Sequence, residues 1–207
     1  MDLVTTAQDQ AAITPSEVID RLAAGNERFV AGTPRDRDLL AQAAATATGQ
    51  FPIAAVLGCI DSRVPVELVL DQGIGDVFVA RSAGNVVDGD VLGGLEFATE
   101  LAGAKAVVVL GHSSCGAVKG ACDGAELGHL TGLLARIRPA IREVNGDELP
   151  GSDDAEVVQA VVEANVRHAV AELTNRSDVL RDRLAAGDLV VRGAVYDLPS
   201  GRVSWLD

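Results

Sequence analysis

Aromatic residues are scarce in this chain. Four phenylalanines, one tyrosine and one tryptophan make up 3% of 207 residues. The core must therefore be assembled from Ala, Val, Leu and Ile, and such a core suits a parallel sheet flanked by helices. Cysteine is scarce too: Cys59, Cys115 and Cys122 are the whole set. That odd, sparse count argues against a disulfide framework. A cysteine at a strand end then more often means metal or catalysis. Positive charge is outnumbered, with 17 Lys and Arg against 30 Asp and Glu, net −13. A surface this acidic repels phosphate backbones, so no nucleic-acid partner is expected; its plainest use is solubility. No run of about 18 apolar residues is present, so no membrane span is expected. The opening "MDLVTTAQDQAAITPSE" has neither a basic n-region nor an apolar h-region, and a cytoplasmic location is the expectation. No G-x-G-x-x-G or Walker pattern follows the first strand, which leaves a nucleotide-binding reading with little support.

What is present reads as one α/β domain over 1–207, with 48% hydrophobic residues as core material. An N-terminal helical arm spans 1–48 and a core 49–207. Residues 1–14 are polar and read as flexible. "TPSEVIDRLAAGNERFVAG" has Thr14 or Ser16 as an N-cap, Val18, Leu22 and Phe29 on a helical period, and Gly32 as a stop. "RDLLAQAAATATG" reads as a second helix. Apolar strands are predicted at 51–59, 76–85 and 104–112. Helices are predicted at 88–103, at about 128–144 and at about 154–186. The chain closes with strand, turn and strand in "GDLVVRGAVYDLPSGRVSWLD". Alternating strands and helices imply a mostly parallel sheet with right-handed crossovers. Its ligand site lies off the carboxyl ends of the strands.

Two of those ends carry chemistry. "GCIDSR" at 58–63 holds Cys59, Asp61 and Arg63, and "GHSSCG" at 111–116 holds His112 and Cys115. Cys59 and Asp61, two apart in extended chain, point to one side. His112 and Cys115, three apart, share a face if a helix starts near 113, and there the helix dipole favours a thiolate. Two thiolates and one imidazole suit zinc rather than magnesium or calcium. The fourth position falls to Asp61 or to water. A zinc-bound water would become a hydroxide nucleophile near neutral pH. Two thiolates weaken that effect, so activity should rise toward mildly alkaline pH. Arg63 can hold Asp61 in a bidentate pair, off the metal and free to accept the hydroxide proton. Cys122 reads as a core residue, His129 and His168 as helix-face histidines, and "RSAGN" (81–85) as a tight turn that only loosely matches an anion loop.

At these residues the sequence resembles the β-class carbonic anhydrases. The resemblance rests on "CIDSRVP", "DQGIGDVFVARSAGN", "GGLEFA" and "VVVLGHSSCGAVKGA" and runs over roughly 16–205. It implies a zinc lyase, with one Zn2+ per chain, that interconverts carbon dioxide and bicarbonate. It implies a homodimer or homotetramer whose N-terminal helices wrap the neighbouring subunit. Cys59, His112 and Cys115 match the zinc ligands, and Asp61 with Arg63 the catalytic dyad. Gln50 and Phe78 match pocket positions of the plant-type branch, and Val86 is taken as a neighbour in that pocket. Phe97 stands where that branch often has a tyrosine, and it lacks the hydroxyl. Val56 stands where another branch carries a tryptophan and traps bicarbonate, so no such trap is expected. Two rivals remain: a carbon disulfide or carbonyl sulfide hydrolase on the same scaffold, and a non-catalytic zinc protein with Asp61 as permanent fourth ligand.

Overall fold

The computed structural model describes residues 4–206; residues 1–3 and 207 lie outside it. Its centre is a five-stranded sheet of β1 (Ala54–Gly58), β2 (Val77–Arg81), β3 (Ala106–His112), β4 (Val190–Tyr196) and β5 (Val203–Leu206). The spatial order is β2-β1-β3-β4-β5. β1 is parallel to both β2 and β3, and β3 is parallel to β4. β5 returns antiparallel along β4. Every residue of β1 and β3 is buried. This is why both read as unbroken apolar runs, without the alternation of a half-exposed strand.

Among the described residues, ten α-helices accompany the sheet: α1 (Ala7–Ala12), α2 (Pro15–Ala31), α3 (Leu39–Thr46), α4 (Val66–Val69), α5 (Gly89–Glu96), α6 (Gly116–Cys122), α7 (Gly128–Leu134), α8 (Arg138–Asn145), α9 (Ala155–Arg176) and α10 (Asp178–Ala186). The two sheet faces carry separate cores. On one, Ala55, Leu57, Val107 and Val109 pack with Leu92, Ile137, Val161 and Leu173 from the helices after β2. On the other, Val56, Val108 and Leu110 pack with Val18 and Leu22 of α2 and with Val66 and Val69 of α4. Leu22 is fully buried, worth about 2 kcal/mol. The arm thus covers its own sheet. Leu39 and Leu40, on α3, stay exposed.

Polar anchors fix the arm to the core. Asp71 is buried and has a left-handed φ of 46°. Its carboxylate accepts from the guanidinium groups of Arg28 and Arg37 and from the backbone N–H of Arg35. Asn26 donates to the carbonyls of Val69 and Gly201 and accepts from the N–H of Val203.

Several expected boundaries shift, each for a local reason. The segment read as flexible contains α1, closed by a Thr6–Asp9 capping box. It is tied down where Gln10 Nε2 donates to the carbonyls of Pro52 (2.6 Å) and Ala102 (2.8 Å). Thr14 is the N-cap of α2, and Gly32 ends it in left-handed geometry. The helix expected over 128–144 is interrupted by a 3₁₀ turn at Ala135–Ile137. α8 then restarts with a proline in its first turn, where a missing N–H costs nothing. The helix expected over 154–186 breaks at Ser177. That hydroxyl caps α10 at the Leu180 N–H and donates to Glu96 Oε1 at 2.6 Å. The helix expected over 88–103 widens into a π turn at Phe97–Leu101.

Candidate metal centre

Register brings the two chemical strand ends together. Gly58 of β1 pairs with Leu110 of β3, so Cys59 emerges beside Gly111 and His112 at the carboxyl edge. The helix in "CGAVKGACDG" begins at Gly116 with Cys115 as its N-cap, so His112 and Cys115 meet across a turn and not on one helix face. Ser114 turns the chain there with φ 55°. This tight turn folds Cys115 back toward the strand end. Cys59, His112 and Cys115 are all buried, and their donor atoms lie within 4.8 Å of one another. No other such cluster occurs among the described residues.

The donor set fits a zinc ion. The two sulfurs are 4.0 Å apart. Two thiolates each 2.3 Å from a tetrahedral zinc would be separated by about 3.8 Å. His112 is fully buried and its Nδ1 lies 3.0 Å from the Ser113 carbonyl. A carbonyl only accepts, so Nδ1 carries the proton and Nε2 the lone pair. Nε2 is buried with no hydrogen-bond partner among the described residues. An orphaned lone pair facing two sulfurs calls for a cation.

The charge states agree with that reading. The Cys115 thiol beside it holds Cys59 well below the ordinary thiol range; burial opposes this, and His112 and the backbone N–H groups of Asp61 and Gly84 reinforce it. The same pairing pushes Cys115 up, with burial and the Cys59 charge adding to it. A cation removes that conflict by accepting both thiolates.

Asp61 and Arg63 form a fork beside the cluster. Arg63 Nε donates to Asp61 Oδ1 at 2.9 Å, and Nη2 to Oδ2 at 2.7 Å. The Arg63 backbone N–H adds a third bond, 2.9 Å to Oδ1. The Arg63 side chain holds the Asp61 carboxyl well below the usual carboxylate range, against the effect of burial. Asp61 Oδ2 is 3.9 Å from His112 Nε2, yet the carboxylate stands outside the three-donor cluster.

The remaining candidates scatter. Phe78 is half-buried on β2 and meets Phe97 edge-on, with ring centroids 6.0 Å apart. Val86 is buried and lines a small cavity with Val87, Asn165 and His168. Gln50 is exposed and precedes the amino end of β1, the opposite edge of the sheet from Cys59. Cys122 is fully buried in the helical core. His129 lies on α7. His168, on α9, comes within 2.8 Å of Glu143 but is not aligned as a hydrogen bond.

Sequence reasoning passed over two supports. Arg81, at the end of β2, donates to the carbonyls of Cys59 (2.8 Å), Asp61 (2.6 Å) and Val64 (3.0 Å). It thereby shapes the loop that carries both Cys59 and the Asp61–Arg63 fork. The Gly84 N–H, in the "RSAGN" turn, donates to Cys59 Sγ at 3.3 Å. The loose likeness to an anion loop was the signal, the anion being a ligand thiolate. A cavity of about 650 Å³ lies elsewhere, between the arm helices and Asp76. Two of its arginines, Arg21 and Arg37, are already paired with Asp76 and Asp71. The convergent, unsatisfied donors are at the cluster.

A mostly parallel α/β sheet with a buried Cys–His–Cys cluster at its carboxyl edge defines a class of fold with a site that could hold a metal ion. The carbonic anhydrase family model matches residues 54–203. The chain is 40% identical over 184 residues to carbonic anhydrase 2 of Mycobacterium tuberculosis, covering 86% of each. It is also 40% identical to a carbonic anhydrase of Mycolicibacterium smegmatis over 86% of this chain and 87% of that one. Among solved structures it resembles a β-carbonic anhydrase of Aspergillus fumigatus, with TM-score 0.72 and 31% identity over 92% and 91% of the two chains. A tetrameric β-carbonic anhydrase of Sordaria macrospora gives TM-score 0.71 and 32% identity over 79% and 84%. The chain belongs to the β-carbonic anhydrase family and is an enzyme of that class, a carbonate dehydratase. Among the described residues, no helix is long and apolar enough to cross a membrane.

Proposed function

We propose that Cys59, His112 and Cys115 hold one Zn2+ and that the chain uses it to convert carbon dioxide and water reversibly into bicarbonate and a proton. The observation that carries this is the orphaned, buried Nε2 of His112 facing two sulfurs 4.0 Å apart. When bound, the zinc supplies a Lewis acid that brings the pKa of water toward neutrality.

Asp61 and Arg63 are the catalytic dyad. Asp61, ionised and 3.9 Å from His112 Nε2, accepts a hydrogen bond from the attacking water and aims its oxygen at the carbon of carbon dioxide. Arg63 occupies both carboxylate oxygens, which keeps Asp61 from becoming a fourth ligand and keeps it from taking up a proton at neutral pH. The fork tells against a non-catalytic zinc protein, where Asp61 would turn away from Arg63. Phe78 and Val86 offer apolar surface to carbon dioxide. The reaction leaves one bicarbonate and releases one proton to solvent.

Gln50 serves a neighbouring subunit in this reading. Within one chain it lies beyond the wrong end of β1, while a second copy can bring it to the site in a homodimer or homotetramer. The tetrameric relative from Sordaria macrospora supports an assembly of that kind. The chain works as one unit, arm 1–48 and core 49–207. It resides in the cytoplasm, where reduced thiols remain available to the metal.

The test is stopped-flow carbon dioxide hydration from about pH 6.5 to about pH 9 on protein of assayed zinc content. Fast turnover with one zinc per chain, rising with pH, is expected. Stoichiometric zinc without turnover at any pH overturns the proposal, and carbon disulfide would be the next substrate.

A further inference from the structure

The helix behind the sheet carries a polar residue where its neighbours are apolar. The buried face of α9 consists of Val158, Val161, Val162, Ala164, Asn165, Val166, Ala169 and Leu173. Asn165 is the only amide in that series and is 4% exposed. Burying an amide is costly unless it is hydrogen-bonded. Its Nδ2 donates to the Gly84 carbonyl at 2.8 Å. That carbonyl belongs to a buried 3₁₀ turn, Ala83–Asn85, in which Gly84 (φ 64°) and Asn85 (φ 45°) are both left-handed. The other backbone group of Gly84, its N–H, is one of two backbone donors to Cys59 Sγ, the second being the Asp61 N–H. One residue thus spans the gap between α9 and a metal-ligand sulfur.

We infer that Asn165 is a positioning residue of the metal centre, acting on Cys59 through Gly84; this rests on the reading of Cys59 as a zinc ligand. The packing gives α9 the rigidity to do it. Val166, the next residue, seats on two strand glycines. A Cβ at Gly111 would come within 2.5 Å of Val166 Cγ2, and one at Gly193 within 2.7 Å of Cγ1. Backbone and helix therefore meet as closely as they can, one residue from both Asn165 and His112. Without the amide, the Gly84 carbonyl is left buried and unpaired. The left-handed turn then loses its tether, and the N–H that orients the Cys59 sulfur moves with it. Partners that orient a ligand from behind typically contribute 10- to 100-fold to metal affinity.

The experiment compares the full chain, zinc-loaded, with Asn165→Leu, which keeps the branched four-atom side chain and removes the donor. Zinc retention is measured by competition with a chromophoric chelator. Each protein is also loaded with cobalt(II), and the thiolate-to-metal charge-transfer band is recorded. Leu173→Ala, two turns further along α9, is the control for loss of stability alone. Asn165→Leu is expected to hold zinc about 10- to 100-fold more weakly and to shift the cobalt band, while Leu173→Ala changes neither. If Asn165→Leu does not fold, Asn165→Ala is measured in its place with the same expectation. A variant equal to the parent in zinc retention and cobalt spectrum, with only its melting temperature lowered, overturns the inference and leaves the zinc assignment standing. A parent that holds no zinc overturns both.

Discussion

Asp71→Asn tests whether the arm is clamped to the core by charge. Asp71 is 3% exposed, and its carboxylate faces Arg28 and Arg37, whose side chains are 24% and 14% exposed. Asparagine tolerates the left-handed φ of 46°, so the substitution isolates the charge. Hydrogen bonds to charged groups contribute about 1.5–3 kcal/mol each, and the amide keeps one acceptor oxygen while losing the other. Removing one partner of a fully buried ion pair costs about 3–5 kcal/mol; both arginines reach solvent, which reduces that. The expected loss is about 3 kcal/mol, or about 6–12 °C in Tm for a chain of this size. The pH dependence has a definite sign. Burial alone would raise the Asp71 pKa, but hydrogen bonds from Arg37, Arg28 and the Arg35 backbone outweigh it, and the folded value is lowered. A depressed carboxyl stabilises the fold above its unfolded pKa of about 3.9 and loses that contribution as pH falls through the folded value. The parent and variant should therefore differ fully at neutral pH and converge in acid. Urea unfolding followed by circular dichroism, at matched protein concentration and at several pH values, measures the gap. A difference under about 1 kcal/mol at pH 7, or one that widens on acidification, would refute the reasoning.

Three further outcomes concern the site. Arg63→Ala should lower turnover by about 100-fold or more while zinc content holds, since the fork orients Asp61 rather than the metal; an unchanged rate sinks the dyad. Cys115→Ser should lose most of its zinc by metal analysis, and full stoichiometry would remove Cys115 from the ligand set. Gln50→Ala chains and Cys59→Ser chains should each be nearly inactive as homo-oligomers. Refolded together they should regain activity, because the Cys59→Ser chain supplies Gln50 to its partner's intact metal site; a mixture no better than its parts would place Gln50 outside the reaction.

Much of the architecture was legible in the residues themselves. The apolar runs at 54–58 and 106–112 are continuous because both strands are buried on both faces, and burial of that kind leaves a direct trace in composition. Thr14, one of two N-cap candidates with Ser16, and Gly32 marked the ends of α2 because caps are local chemistry. Boundaries set by distant partners were not legible. Ser177 ends α9 because its hydroxyl reaches Glu96, 81 positions away, and nothing in the flanking sequence records that contact. Likewise α1 is held by Gln10 against the carbonyls of Pro52 and Ala102.

For the site, residue type alone identified the donors and placed them at or within a few residues past the ends of two buried strands. A cysteine, an aspartate and an arginine follow one strand, and a histidine and a cysteine the next in space. That they meet follows from strand order and one turn. The order β2-β1-β3 lays Cys59 beside His112, and the left-handed Ser114 folds Cys115 onto both. Only the tertiary structure shows Arg81 gripping the loop from its neighbouring strand, Asn165 reaching Gly84 from α9, and Gln50 standing at the opposite edge of the sheet. The reason is physical. Periodicity and residue type report which side of an element is buried and what chemistry it carries. Which element lies against that side depends on strand order and helix packing, set by contacts between residues far apart in the chain.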